Sequence, residues 1–490
     1  FVNDEFGEAI SESGFGYAYG YARADNGAVT NETLAIGNEE ATIKREFDGA
    51  GRLVRREVCT SRAGQAQAIE WDSENRIGAI SGDVARVEYR YSALGSDLGY
   101  TLRLAGGATV SREVTVDERT GRIHAVSNRV NGTLVDVWEY GRDGDGRILS
   151  RNGDSFAYDE KGQIVEACVG EEPASFGYDA AGNFSVCTHG TNGVVSSFTA
   201  NSLNQYTAAG GATLATTPDG GVSRWGGWTF AYDSAERLVA ASGATGANVA
   251  NFYDSLGRRI RKSADDGEHL FFWDGWNPVL EVIEGDGATN IVEYGWGKDV
   301  EGSLELAGGV GALLWVRVDG RVYVPLYDGN GNVTAYVGES GAVVARFEYG
   351  AFGEETASVL QQAEDVGRLR FRYSTKYVEP ENGLVYFAGR FYCPALGRWM
   401  SRDPIGEDAG ANLYVFCRNA PTWLYDVLGA LTFAQAMDNY WTGKLPSMEK
   451  PFSEVKFRGL TVKNLSKAAS ALDSCEKGSH TLSEKDGSVP

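Results

Sequence analysis

The feature that most constrains this chain is a short motif recurring along its first two-thirds: an aromatic residue, an aspartate, a small spacer, glycine or another turn former, a polar residue and an aliphatic one. Copies fall at Phe47-Asp48 with Gly51-Arg52-Leu53, Trp71-Asp72 with Asn75-Arg76-Ile77, Tyr158-Asp159 with Gly162-Gln163-Ile164, and Tyr178-Asp179 with Gly182-Asn183-Phe184. Others follow at Tyr232-Asp233 with Glu236-Arg237-Leu238, Tyr253-Asp254 with Gly257-Arg258, and Tyr327-Asp328 with Gly331-Asn332-Val333. Looser copies sit at Val116-Asp117 with Gly121-Arg122-Ile123 and at Asp143 with Gly146-Arg147-Ile148.

This order of residue types is hairpin chemistry. The aromatic ends one strand, Asp hydrogen-bonds the turn backbone, Gly supplies positive φ, and the aliphatic opens the next strand. Neighbouring motif aspartates are separated by 24 (48 to 72), 20 (159 to 179) and 21 (233 to 254) residues, the length of two ordinary strands with their turns. One such unit cannot bury its own apolar face, so the units must stack into a continuous antiparallel sheet with an aromatic ladder across it. Aromatics also stack on sugars, and carboxylates act in glycoside hydrolysis. The fixed spacing from each Tyr-Asp pair to its turn residue is what the hairpin requires without any such role.

Composition agrees: 64 glycines and 24 tyrosines against 11 prolines suit many short strands, and an aromatic share of 11% can supply a core. The formal charge of −22 opposes a phosphate backbone, so no nucleic-acid partner is expected for the body. The charge is uneven. Residues 431–490 carry eight Lys plus Arg against seven Asp plus Glu, leaving 37 against 60 for residues 1–430. Six scattered cysteines without a CxxC pair and four histidines without an HExxH helix suggest no metal site, and nothing in the motifs calls for a cofactor. The longest uncharged apolar stretch, Leu306–Val316, is far short of the roughly 20 residues of a membrane helix. Because the chain begins at Phe1 without a signal-like segment, it is expected to be a piece of a longer protein or to take its targeting signal from upstream.

The aromatic-Asp-x-x-Gly-Arg/Asn-aliphatic unit resembles the YD repeat shared by Rhs proteins, the C components of insecticidal toxin complexes and the teneurins. The glycine-rich run Gly308-Gly309-Val310-Gly311 and the stretch Glu348-Tyr349-Gly350-Ala351-Phe352-Gly353 are similar to the segments that precede the Rhs core. The most specific likeness is residues 382–429, from Asn382-Gly383-Leu384-Val385-Tyr386-Phe387 through Arg390-Phe391-Tyr392, Gly397-Arg398-Trp399 and Arg402-Asp403-Pro404-Ile405-Gly406 to Asp426-Val427-Leu428-Gly429. It looks like the Rhs-associated core.

The resemblance implies an all-β fold: a long spiral antiparallel sheet of hairpins forming a hollow shell, closed by a C-terminal core plug. The chain divides accordingly into an N-terminal part of the shell or fragment edge (1–44), the repeat shell (45–370), the core plug (371–430) and a variable tail (431–490). The tail would be held inside as cargo, often a toxin in such proteins. A secretion-system or upstream-domain partner and a secreted or cell-surface location are further implications.

In relatives the core resembles a self-cleaving aspartyl peptidase that acts once, on its own chain. Mapped onto this sequence, its two aspartates fall on Asp403 and Asp426, with Arg402 adjoining the first, and the cut falls between Ala430 and Leu431. Two close carboxylates cannot both ionise easily, so one keeps a proton as acid while the other activates water. The pattern departs from the family at Val427, usually Pro, and at Ala430, usually Leu, a smaller anchor by roughly three methylene-sized groups at about 0.8 kcal/mol each. The alternative is that both aspartates only cap turns. The tail shows no catalytic motif, its Cys475 and His480 having no orienting group at recognisable spacing. Competing readings of the whole are a surface adhesion or carbohydrate-binding repeat protein and a non-cleaving scaffold.

Overall fold

The computed structural model describes residues 2–3, 9–14, 16–285, 287–361 and 365–430. The tail, including Leu431 of the expected cut and the helix-compatible start expected from Leu431 to Asp438, lies outside the described residues. Among the described residues every regular element is a β-strand or a short 3-10 turn. No helix among the described residues is long and apolar enough to cross a membrane.

The repeats build the expected meander. Consecutive strands pair antiparallel in a 21-stranded sheet ending at Ala212–Thr213, and again in a 14-stranded sheet from Ala215–Thr216 to Glu355–Leu360. The strands at Tyr17–Arg23 and Val29–Ile36 already belong to the first sheet. Each motif performs the same local task. The pairing register slips at the aromatic, between Glu46 and Phe47, Glu70 and Trp71, Ala157 and Tyr158, Gly177 and Tyr178, Ala231 and Tyr232, and Leu326 and Tyr327. Such bulges raise local twist and bend the sheet.

The aspartate then organises the turn. Asp48 Oδ1 accepts the amides of Ala50 and Arg52 at 2.9 and 3.0 Å, and Oδ2 accepts Arg52 Nε at 2.7 Å. The same three contacts recur at Asp159 with Lys161 and Gln163, and at Asp233 with Ala235 and Arg237. The fourth residue of the turn takes positive φ, as at Gly51 (78°) and Gly162 (81°).

The aromatic does more than form a ladder. Its polar tip reaches back to the carbonyl of an aliphatic residue that opens an earlier strand: Tyr158 Oη donates to Ile148 O at 2.7 Å, Tyr178 to Ile164 O at 2.5 Å, Tyr253 to Leu238 O at 2.6 Å, and Trp71 Nε1 to Leu53 O at 2.9 Å. The turn arginine covers the next aromatic, Arg76 over Tyr91 at 4.4 Å and Arg237 over Tyr253 at 5.0 Å. Each unit is thus completed by its neighbour.

Strands from Phe271 to Val337 are buried on both faces. In Leu313–Val318, Leu313 and Val316 join one apolar cluster while Leu314 and Trp315 join a second. The second cluster contains Ile69, Val87, Leu102 and Val110 of the first sheet, so the two sheets pack face to face there. The first cluster contains Phe371, Tyr377, Tyr386, Phe391 and Trp399 of residues 366–430. That last segment is of a different kind, a small four-stranded sheet from Tyr377–Val378 to Arg398–Trp399 joined by 3-10 turns.

Candidate functional site

Residues 366–430 are anchored in the second sheet by buried ion pairs. Arg259 lies 2.6 Å from Glu379, and Lys262 lies 2.8 Å from both Glu379 and Glu381. Arg259 also faces the rings of Phe271, Tyr377 and Tyr386 at 4.6–5.1 Å, which adds cation–π contact to the ion pair. Asn419 Nδ2 donates to Gln163 Oε1 and Gly182 O, and Tyr158 Oη meets Thr422 at 2.8 Å, fastening the same segment to the repeat turns of the first sheet.

On this frame the two sequence-selected aspartates come together. Asp403 follows the strand Arg398–Trp399; its backbone amide donates to Leu413 O at 3.0 Å, and its Oδ1 accepts Ile405 N at 3.0 Å. Asp426 sits at the chain's return, its Oδ1 accepting Gly429 N at 2.8 Å and Ala430 N at 3.1 Å. Both carboxylates are buried. They face one guanidinium nitrogen, Arg390 Nη2, at 2.5 Å from Asp403 Oδ2 and 4.0 Å from Asp426 Oδ2. Burial pushes Asp403 up to about 6, Asp426 adding to the rise and Arg390 opposing it. This carboxyl therefore titrates closer to neutrality than an ordinary aspartate.

Arg390 holds more than the carboxylates. Its Nε donates to Gly429 O, its Nη1 donates to Leu413 O at 3.0 Å, and its guanidinium stacks over Trp399 at 4.2 Å. Arg402, chosen in the sequence for adjoining Asp403, turns the other way: its Nη2 lies 2.7 Å from Glu236 and 3.8 Å from Asp219, in the second sheet's turns. Neighbours in an extended chain point apart, so adjacency in sequence does not make adjacency in space. Arg390 did carry a signal. It is a lone charge in the run Tyr386-Phe387-Ala388-Gly389-Arg390-Phe391-Tyr392, and a buried arginine needs counter-ions. A second buried cation, Lys376, carried no such sequence signal; its Nζ donates to Val427 O at 2.8 Å and Gly308 O at 2.6 Å.

The arrangement sets two buried carboxylates beside one cation, with the chain Val427–Ala430 laid against it. That is the equipment of acid–base chemistry on a peptide. The hydrogen bonds from Ile405, Gly429 and Ala430 equally make both aspartates turn caps, so one geometry serves both sequence readings.

Comparison with known proteins bears on the fold. A family model for the teneurin YD-shell matches residues 105–280. The tRNA3(Ser)-specific nuclease WapA of Bacillus spizizenii is 27% identical over 277 residues, 54% of this chain and 11% of that protein. Toxin protein Tse5 of Pseudomonas aeruginosa is 24% identical over 443 residues, 76% of this chain and 33% of that protein. The crystal structure of TcdB2-TccC3-Cdc42 superposes with a TM-score of 0.71 at 16% identity, covering 89% of this chain and 25% of that one. The fold is that of a YD-repeat β-shell. Its repeats are similar to those of Rhs-type proteins and teneurins. It spans a third or less of the length of the relatives it matches.

Proposed function

We propose that this chain is part of a toxin-delivery shell that encloses the polypeptide following Ala430 and releases it by cutting its own chain between Ala430 and Leu431. The shell is the stacked hairpin sheet of residues 45–370, with residues 1–44 continuing it at the N-terminal edge. Residues 371–430 are the plug and the peptidase, and residues 431–490 are the cargo. The names of Tse5, a toxin, and WapA, a nuclease, support a cargo of that kind. A secreted or cell-surface shell with a secretion-system or upstream-domain partner goes with this reading.

The observation that carries it is the placing of the chain before Ala430 in the carboxylate site: Asp426 accepts the amides of Gly429 and Ala430 while sharing Arg390 with Asp403. In the cut, one aspartate takes a proton from water and the other protonates the leaving nitrogen. The water oxygen bonds to the Ala430 carbonyl carbon, the C–N bond breaks, and a carboxyl group at Ala430 and an amine at Leu431 result. The site acts once, since its substrate is its own chain.

The turn-cap hydrogen bonds favour a second reading, a non-cleaving scaffold. Intact mass spectrometry on residues 1–490 with a C-terminal tag, beside Asp403→Asn and Asp426→Asn, separates the two. A break after Ala430 in the parent protein alone supports the peptidase, and a native mass still including the tail supports encapsulation. Three full-length proteins would leave the scaffold.

A further inference from the structure

The chain leading to Ala430 is gripped at three successive carbonyls. Val427 O accepts Lys376 Nζ at 2.8 Å, Leu428 O accepts Gly389 N at 3.0 Å, and Gly429 O accepts Arg390 Nε. The slot is narrow enough to need glycine walls: a Cβ on Gly308 would lie 2.5 Å from Val427 O, and one on Gly389 2.5 Å from Leu428 O. Lys376 joins the walls, because its other carbonyl partner is Gly308 O at 2.6 Å. Leu428 and Lys376 meet in a small cavity of about 30 Å³, lined by Trp296, Phe371, Tyr377 and Phe387.

The ammonium group is buried, and the charges that face it are Asp426, on the gripped chain, and Asp299, on the loop leading to Gly308. Phe387 lies beneath it at 5.5 Å. Behind Asp426 stand Arg390, Asp403 and the buried thiol of Cys417.

We propose that Lys376 is a positioning residue for the self-cleavage, fixing the Val427 carbonyl and setting its charge against Asp426 so that the Ala430–Leu431 bond is presented to the two aspartates. The assignment rests on the peptidase reading above and adds to it a residue outside the two-aspartate pattern. Burial pushes Lys376 down to about 7, against the pull of Asp426 and Asp299, so the charge is lost as pH rises through neutrality.

The test is the pH profile of self-cleavage after refolding, read as release of the tagged tail from the full chain. The parent rate should fall between pH 7 and 8.5. Lys376→Met should be at least tenfold slower at pH 6.5 and fall less steeply over that range, where only the titration of Asp403, near 6, remains, whereas Lys376→Arg should extend the active range upward. A parent rate flat or rising to pH 8.5, or Lys376→Met matching the parent at every pH, overturns the assignment, and the parent profile needs no variant to fold.

A parent chain uncut at every pH would instead remove the peptidase reading. The grip itself is then decided by hydrogen exchange in uncleavable Asp403→Asn. Adding Lys376→Met should lower protection of the Gly429 and Ala430 amides at least tenfold, and unchanged protection overturns the grip.

Discussion

Arg390 Nη2 stands 2.5 Å from Asp403 Oδ2 and 4.0 Å from Asp426 Oδ2, so a single buried cation serves both carboxylates. Removing one partner of a buried pair typically costs about 3–5 kcal/mol, because the other charge is left without compensation. Arg390→Met is expected to pay less at low pH. Asp403, already pushed up to about 6 by burial, can there take a proton and become neutral. The loss should be larger at pH 8 than at pH 5.5, and Arg390→Met with Asp403→Asn should recover part of it. Urea denaturation at the two pH values checks both expectations.

The back-bonds from one repeat to the preceding aliphatic carbonyl are graded. Ile164 O receives Tyr178 Oη at 2.5 Å, while Leu238 O receives both Tyr253 Oη at 2.6 Å and Asn251 Nδ2 at 3.1 Å. Tyr178→Phe should therefore cost more than Tyr253→Phe, by about 1 kcal/mol, since the second carbonyl keeps a side-chain partner. Equal midpoints in urea for the two variants would remove the distinction.

The repeat was legible because hairpin chemistry is local. Asp48, Gly51 and Arg52 lie within five residues, and their roles follow from residue type and spacing alone. The bulge at each aromatic and the reach of Tyr178 to Ile164 were not, since they depend on which strand lies alongside. At the candidate site the two aspartates came from a motif likeness, whereas their shared cation did not. Arg402 adjoins Asp403 in sequence yet pairs with Glu236, while Arg390, 13 residues before Asp403, folds back against it. Lys376 was still less visible, because its partners are the backbone carbonyls of Gly308 and Val427, which any residue would supply.

One turn separates two glycine roles. A Cβ on either Gly49 or Gly51 would touch nothing within 4 Å, but Gly51 has a φ of 78° and Gly49 is outside the positive-φ region. Gly51→Ala is expected to lose about 1–2 kcal/mol to left-handed strain alone. Gly49→Ala should gain about 0.4–1 kcal/mol by restricting the unfolded chain. Opposite shifts in thermal midpoint test the pair, and a loss at Gly49 would show that its turn does need glycine.

His269 gives the fold an alkaline limit. Its ring is buried between Glu281, 2.7 Å from Nδ1, and Asp266, 2.9 Å from Nε2, while Glu281 also accepts Tyr377 Oη at 2.9 Å from the 366–430 segment. Burial by itself would lower this imidazole, but the two carboxylates outweigh it and raise it to about 9. A folded value above the unfolded one, about 6.5, means that the stabilisation is complete below pH 6.5 and is lost as pH rises through 9. A rise of that size corresponds to at most about 3–4 kcal/mol. Stability should therefore decline from pH 6.5 to 9.5 in the parent protein. His269→Gln should be less stable at pH 6 and should lack this part of the decline, the difference between the two curves closing as pH rises. A constant difference across that range would mean that His269 is held neutral between its carboxylates.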